Sequence, residues 1–385
     1  MKKALVVAAT AGFIKGFLVR DMRLLQAMGY EVHCAANAAG PLSFDPVSYF
    51  ADMGFLFHEL PFGSHSPVSK ANLHAAKAFR QLIKAVDFSV IHCHTPIAGA
   101  IVRIAAIRGR LGGGKMLYTS HGLAFPKGSG WKNRLFDGGV GWLCARLCDG
   151  VVTINREDCQ TMRRLGCAHV YHISGVGVDT ERFHHVSADR AALRASIGVG
   201  EQDVMVLAVG ELTQRKNHQV IIKALAKLGD PRYVLVICGK AMVDAGTHDA
   251  LLALGQTLGV RVRLLGFRTD IPALNHCADI AAIPSTREGL GLAGIEALAS
   301  GVPVVGACVQ GIKDYVVEGV TGFLCPPLDA DSFAERIRRL SDPALRLAMR
   351  DACVATAEEF RTDISTEQMK RIYGETFAPG ATLRE

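Results

Sequence analysis

The chain has 385 residues, 49% hydrophobic and 21% charged, which allows two domains with separate cores and excludes a disordered or fibrous chain. Eleven cysteines at irregular spacings, with no Cys-x-x-Cys pair, argue against a disulfide framework or zinc ribbon and fit buried thiols in a reducing cytoplasm. The formal net charge of +7 is uneven: residues 1–180 hold 20 Lys and Arg against 11 Asp and Glu, and residues 181–385 hold 23 against 25.

The first residues, MKKALVVAATAGFI, place two lysines before an apolar run, as secretory signals do. Lys15 cuts that run short and no small-x-small cleavage site follows, so the segment reads as a first strand. No stretch of 18 uncharged apolar residues occurs, which argues against a membrane-spanning helix. YEVHCAA, FLFHEL, SVIHCH, KMLYTS, GVVTI and VYHI follow as further strands, with amphipathic segments between most of them. In SKANLHAAKAFRQLIKAVDF, Leu73, Ala76, Phe79, Ile83 and Val86 recur at helical spacing, while Lys77, Arg80 and Lys84 form a separate stripe. That stripe is either an ordinary solvated face or a surface for anionic lipid headgroups. No aromatic-basic interleaving accompanies it, so nucleic acid is not implied as a partner.

VMVLAVG, YVLVICG, RVRLLG, IAAIP, VPVVGA and GFLC repeat the scheme in the second half, and beyond residue 330 the chain reads as helices. Strands alternating with helices predict an α/β chain with two Rossmann-like doubly wound domains. The boundaries are expected at 1–182, 183–362 and a last helical segment, 363–385, packing back toward the first domain. Ligands of open α/β sheets sit beyond the carboxyl ends of the strands, so the site is expected in a cleft between the two sheets.

Residues 287–301, REGLGLAGIEALASG, admit two readings. Gly289, Gly291 and Gly294 spell the G-x-G-x-x-G of a dinucleotide-binding turn, with Asp314 20 residues past Gly294; that reading makes the chain a nicotinamide-dependent dehydrogenase. Against it, PSTRE separates the strand from the first glycine, and Glu288 would face the pyrophosphate. In the second reading a helix opening near Gly291 turns its free N–H groups and positive dipole end toward a diphosphate. Glu296, in the second turn, leans back to accept from a ribose diol, and Glu288 accepts from the hydroxyls of another sugar. Plainer roles exist for each residue. The two glutamates also suit a solvent-facing helix start, Arg215 and Lys216 a polar surface turn, and His121 a structural strand end. The His92-x-His94 pair lacks a nearby carboxylate pair and reads as structural rather than metal-binding.

The pattern E-G-x-G-x-x-x-x-E-A, Glu288 to Ala297, resembles the E-x7-E signature of retaining GT-B glycosyltransferases of glycosyltransferase family four. AATAGFIKGF, IHCHTPIAGA, YTSHGLAFPKGS, TINREDCQ, GVGVD, VGELTQRKNHQVIIKAL and QGIKDYVVEGVTGFL resemble its exopolysaccharide and capsule branch, over nearly the whole chain. The resemblance implies two domains facing across a cleft, the first on the acceptor side and the second holding the nucleotide sugar. It places Gly12, in the loop after the first strand, against the donor sugar or phosphate, and His121 against the donor sugar. Lys216 falls on the diphosphate, with the backbone of Gly291 and Leu292 near the distal phosphate, Gly289 among the donor-binding residues, Glu288 on the sugar and Glu296 on the ribose. Glu211 stands where many relatives have an arginine, which leaves Arg215 or Arg287 as the second cation. Asp137 stands where this branch has a glutamate and receives no role. The implied reaction moves a sugar from a nucleotide diphosphate, UDP above others, to a glycan or polyprenyl-diphosphate-linked acceptor. The anomeric configuration is retained, no cofactor or metal is required, and the product feeds exopolysaccharide, capsule or lipopolysaccharide synthesis. The implied setting is cytoplasmic, peripheral on the inner face of the plasma membrane. A UDP-sugar epimerase and a non-catalytic assembly partner share the architecture and stay open beside the dehydrogenase.

Overall fold

The computed structural model describes residues 1–39, 42–63, 69–107, 114–123, 143, 146–241 and 246–377. They form two compact units: Met1–Val176 with Asp363–Glu385, and Gly177–Thr362. Each is a parallel sheet covered by helices on both faces, so the fold class is the doubly wound α/β one that the alternation predicts.

In the first unit the strands are β1 (Lys3–Thr10), β2 (Glu31–Asn37), β3 (Leu56–Glu59), β4 (Val90–His94), β5 (Lys115–Ser120), β6 (Gly150–Thr153) and β7 (Val170–His172). They lie in the order β3-β2-β1-β4-β5-β6-β7, all parallel. Parallel strands buried on both faces need apolar residues at successive positions, not alternate ones; Ala4 to Ala8 of β1 are all fully buried. The chain order reverses between β1 and β4, and the amide of Ala9 donates to Thr95 Oγ1 at 3.2 Å across that junction.

The helix Lys70–Ala85 follows the predicted segment, but its buried face is Asn72, Ala75 and Phe79, while Leu73 is 62% exposed. The reason is a polar anchor. Asn72 Oδ1 accepts from the Gly63 amide at 2.8 Å, which draws this side chain inward and turns its neighbour out. A buried amide that satisfies backbone groups competes successfully with one leucine for the inner face. The C-terminal helix Thr362–Phe377 buries Met369, Ile372 and Tyr373, and Ser365 Oγ donates to Gly175 O at 2.9 Å.

The second unit holds β8 (Val204–Val209), β9 (Tyr233–Cys238), β10 (Arg261–Leu264), β11 (Ile280–Ile283), β12 (Val304–Ala307) and β13 (Gly322–Cys325), in the order β10-β9-β8-β11-β12-β13. Its least expected core member is Arg194, 1% exposed, whose guanidinium donates to Asp279 Oδ2 at 3.1 Å and to the carbonyls of Cys277 and Asp203. A buried cation is tolerable when every donor is met in this way. Among the described residues no helix is long and apolar enough to cross a membrane.

Candidate functional site

In the second sheet the chain order reverses between β8 and β11, so the loops that follow these two strands diverge and open a crevice beyond their carboxyl ends. The first loop turns through a short 3-10 segment, Gln214–Lys216, started by Thr213, whose hydroxyl accepts from the Lys216 amide. The second loop runs from Pro284 to Gly291. Hydrogen bonds to backbone carbonyls join them: Thr286 N donates to Arg215 O at 2.8 Å, and Asn217 Nδ2 donates to Pro284 O at 3.1 Å. The same nitrogen also donates to Pro327 O at 2.7 Å, so both amide protons of this buried side chain are used. Asn217 has φ 55° and ψ 33°, a left-handed conformation that asparagine accepts better than most residues.

This framework sets the charges. Glu288 Oε2 lies 2.7 Å from Lys216 Nζ and 3.1 Å from Arg215 Nη1, and its side chain is 13% exposed. Burial pushes the Glu288 carboxyl upward, but the Lys216 and Arg215 charges outweigh it and hold the group below the ordinary glutamate value. Arg215 is therefore the second cation of the cluster. Arg287 offers its carbonyl to Arg215 Nη1 at 3.1 Å and turns no side-chain group to Glu288.

Behind this cluster starts the helix Leu292–Ala299, with Gly291 as its N-cap at φ 83° and no side chain capping its first amides. That end is left for an external acceptor. Gly291 is required by its positive φ. Gly294 has a different cause: a Cβ there would stand 2.2 Å from the hydroxyl of buried Tyr315, which donates to Gly291 O at 3.2 Å. The glycine spacing thus follows from a helix start packed against one tyrosine. Leu292 is half-buried at the first helical position, and Gly289 lies beside Glu288 in the loop. Glu296 is half-buried one turn further along; burial raises its carboxyl above the ordinary value, with Arg182 opposing in part.

Beside Lys216 a cavity of about 350 Å³ opens at the ends of β8 and β9, lined by Gly210, Glu211, Lys240, Phe267 and Arg268. Phe267 is 66% exposed on its rim, with Lys240 Nζ 5.3 Å from the ring centroid. Glu211 is exposed; its carbonyl lies 3.3 Å from Nε2 of buried His218, an imidazole that burial lowers to about 4. Glu211 therefore belongs to the cavity wall and lies outside the Glu288 cluster.

Gly12 and His121 belong to the first unit. Gly12 is not in a loop: β1 passes directly into a helical turn, Ala11–Phe13, because Thr10 Oγ1 caps the Phe13 amide at 3.2 Å. A π-helical turn, Ile14–Leu18, continues it. His121 follows β5, and the Phe13 ring meets it edge-on at 5.0 Å, which sets the Gly12 turn beside the histidine. His121 Nε2 lies 3.1 Å from Nδ1 of His94 in β4. His92, two residues before, contacts the Tyr373 hydroxyl through Nδ1 at 2.8 Å and Thr119 Oγ1 through Nε2 at 2.7 Å. Burial lowers His92 to about 3, His121 to about 4 and His94 well below the ordinary value, so all three rings are neutral at pH 7. No group of three metal-ligating side chains converges among the described residues, and Asp137 lies outside them.

Sequence reasoning passed over Asn217 and the Phe267 cavity. The first had a faint signal, a polar residue directly before the apolar helix His218–Leu228; the second had none.

Residues 189–359 match the profile of glycosyl transferases group 1, and residues 22–182 that of Glycosyltransferase Family 4. The glycosyltransferase-family protein EpsD of Bacillus subtilis (strain 168) is 32% identical, covering 97% of both chains. Among solved structures, HepE of Anabaena, in complex with UDP and glucose, superposes with a TM-score of 0.77 at 21% identity, over 97% of this chain and 100% of that one. Sucrose-phosphate synthase of Thermosynechococcus elongatus gives 0.79 at 22% identity, over 98% and 100%.

Proposed function

We infer the reaction from one premise: the chain belongs to the group 1 glycosyltransferases with a Family 4 N-terminal domain. We read its donor as a UDP-sugar, its product as retained in anomeric configuration, and its acceptor as a glycan or polyprenyl-diphosphate-linked oligosaccharide of exopolysaccharide synthesis. The carrying observation is the Glu288 carboxylate held between Lys216 and Arg215 beside a helix start without a side-chain cap.

A diphosphate entering this crevice meets two cations and the amides of Gly291 and Leu292, groups suited to the charge that builds on the leaving UDP. Glu288, released by the incoming phosphates, is an acceptor for sugar hydroxyls, and Glu296 is one for the ribose diol. The cavity walled by Phe267 and Gly210 suits the flat base. His121, of the first domain, is assigned to the donor sugar as a further hydrogen-bonding group. The bond from the anomeric carbon to the distal phosphate oxygen breaks, the bond to the acceptor oxygen forms on the same face, and the acceptor proton passes to the departing phosphate. Two cations and a helix end supply the charge compensation that a metal gives elsewhere, so the reaction is read as independent of metals and cofactors. The basic first 180 residues motivate a cytoplasmic setting against anionic lipid at the inner membrane face. HepE, solved with UDP, supports the choice of nucleotide.

Calorimetry with UDP and NAD, followed by labelled UDP-sugars with and without membrane extract, tests the reading. Binding of UDP and acceptor-dependent transfer are expected. NAD binding, or conversion of a UDP-sugar with no acceptor, would overturn it. Retention of labelled sugar on vesicles that ignores both anionic lipid and salt would remove the membrane setting alone.

A further inference from the structure

The first unit sets three imidazoles in a row, His92 and His94 buried and His121 half-buried, and the proposed reaction uses only the last. His92 meets a hydroxyl at each nitrogen, and hydroxyls donate or accept, so its proton is free to sit on either. His94 has no such freedom. Its Nδ1 faces His121 Nε2 at 3.1 Å, and its Nε2 is buried with no hydrogen-bond partner among the described residues.

A neutral His94 has two tautomers. With the proton on Nε2, an N–H would be buried with no acceptor, a state folded proteins rarely keep. With the proton on Nδ1, the cost is an idle lone pair, which is more readily tolerated. The second tautomer makes His94 Nδ1–H the donor to His121 Nε2. That nitrogen must then be bare, and His121's single proton sits on Nδ1. Neutrality of all three rings, enforced by burial, keeps the choice between tautomers meaningful. The edge-on Phe13 ring, at an interplanar angle of 78°, restrains His121 from turning over.

We propose that His94 is a positioning residue that fixes His121 as its Nδ1–H tautomer, so that His121 presents a hydrogen-bond donor, and no base, to an oxygen of the donor sugar. The tautomer rests on the hydrogen-bond geometry of two neutral rings, and its use toward a sugar rests on the function proposed above. A catalytic base at this histidine is thereby excluded, and proton removal from the acceptor falls to the leaving phosphate.

Nitrogen-15 NMR of histidine-labelled full-length protein at pH 7.5 tests this, with His121 assigned by the signals lost in His121→Gln. The expected spectrum shows His121 protonated at Nδ1 and bare at Nε2. In His94→Phe the proton should move to Nε2; His94→Asn, whose amide can still donate, should keep it on Nδ1. Transfer should fall about three- to tenfold in His94→Phe, the loss of one neutral hydrogen bond, with UDP affinity unchanged, and recover in His94→Asn. A proton on His121 Nε2 in the unaltered protein overturns the proposal, as does a tautomer indifferent to His94→Phe. If His121 shows the Nδ1 proton while no UDP-sugar is transferred, the role of His94 stands and the donor reading falls.

Discussion

Beyond the carboxyl ends of its strands the second unit gathers charge: a carboxylate between an ammonium and a guanidinium, next to a helix start with no side-chain cap. At the corresponding ends of β4 and β5 the first unit holds neutral rings: His92 packs against His94, and His94 is hydrogen-bonded to His121. Both units are doubly wound parallel sheets, so the fold does not impose the difference. Cations aimed at a developing negative charge act strongly in a partly buried site and weaken with salt. Isolated neutral donors offset less of a diphosphate's charge than cations do, yet they direct an oxygen without competing for that charge. In the reaction proposed above, the charged end of the second unit is assigned the leaving group and the neutral end of the first is assigned the orientation of the sugar.

The largest effect that separates them is on turnover. Lys216→Ala should lower kcat by about 10²- to 10³-fold, the range for losing one preorganised group at a developing charge, with a smaller change in KM. Steady-state kinetics beside His94→Phe gives the contrast. Equal losses in the two variants would remove the division between charge and orientation.

The next separation falls within REGLGLAGIEALASG. Glu296→Gln should weaken UDP binding about tenfold, as expected for a hydrogen bond to a charged group. Glu288→Gln should leave UDP affinity within about threefold while transfer falls, because Glu288 holds the cations only until phosphate arrives. Calorimetry with UDP decides the matter, and equal losses of affinity would show that the two carboxylates share one task.

Acid should cost the first unit more than the second, since His92, His94 and His121 lie in the first and, among the described residues, His218 is the one imidazole held low in the second. The folded values of His92 and His121, about 3 and about 4, lie below the ordinary 6.5. As pH falls below 6.5 the unfolded chain takes protons that the native one refuses, and stability is lost until the folded values are reached. The slope is up to about 1.4 kcal/mol per pH unit for each histidine. Glu288 behaves otherwise. Its folded value is depressed, so its contribution is intact above the ordinary glutamate value and is lost only as pH falls through the lower one. Hydrogen exchange resolved by peptide at pH 7 and 5.5 should show protection falling first in β4 and β5. Uniform loss over both units would mean that the buried rings do not control acid sensitivity.

These contrasts also mark what was legible in the sequence. All thirteen strands lie on the thirteen apolar runs, most plainly the central ones, because a strand buried on both faces writes its burial into consecutive residues. The helix start at Gly291 was legible for a similar local reason. Leu73 misled because a one-residue change of helical face turns on a single side-chain bond, Asn72 to Gly63. The link from His92 to Tyr373 spans 281 residues, and the bonds of Asn217 span 67 and 110. No periodicity carries such pairings. The choice between Arg215 and Arg287 was equally hidden, since both stand next to a motif residue and only the fold of two loops decides which one turns inward.

That choice yields the smallest of the expected effects. Arg215 is 35% exposed and shares Glu288 with Lys216, so its charge is partly screened and partly duplicated. Arg215→Ala should weaken UDP binding about three- to fivefold, the upper end for a half-exposed ion pair. Arg287→Ala should change it by less than about twofold, since its side chain is solvated and only its carbonyl joins the cluster. Repeating both titrations at low and high salt sharpens the result: the Arg215 effect should shrink at high salt and the Arg287 effect should stay flat. If Arg287→Ala proved the costlier substitution, the guanidinium that meets the diphosphate would be the one supplied by the loop after β11, and the crevice would have to rearrange on binding to bring it there.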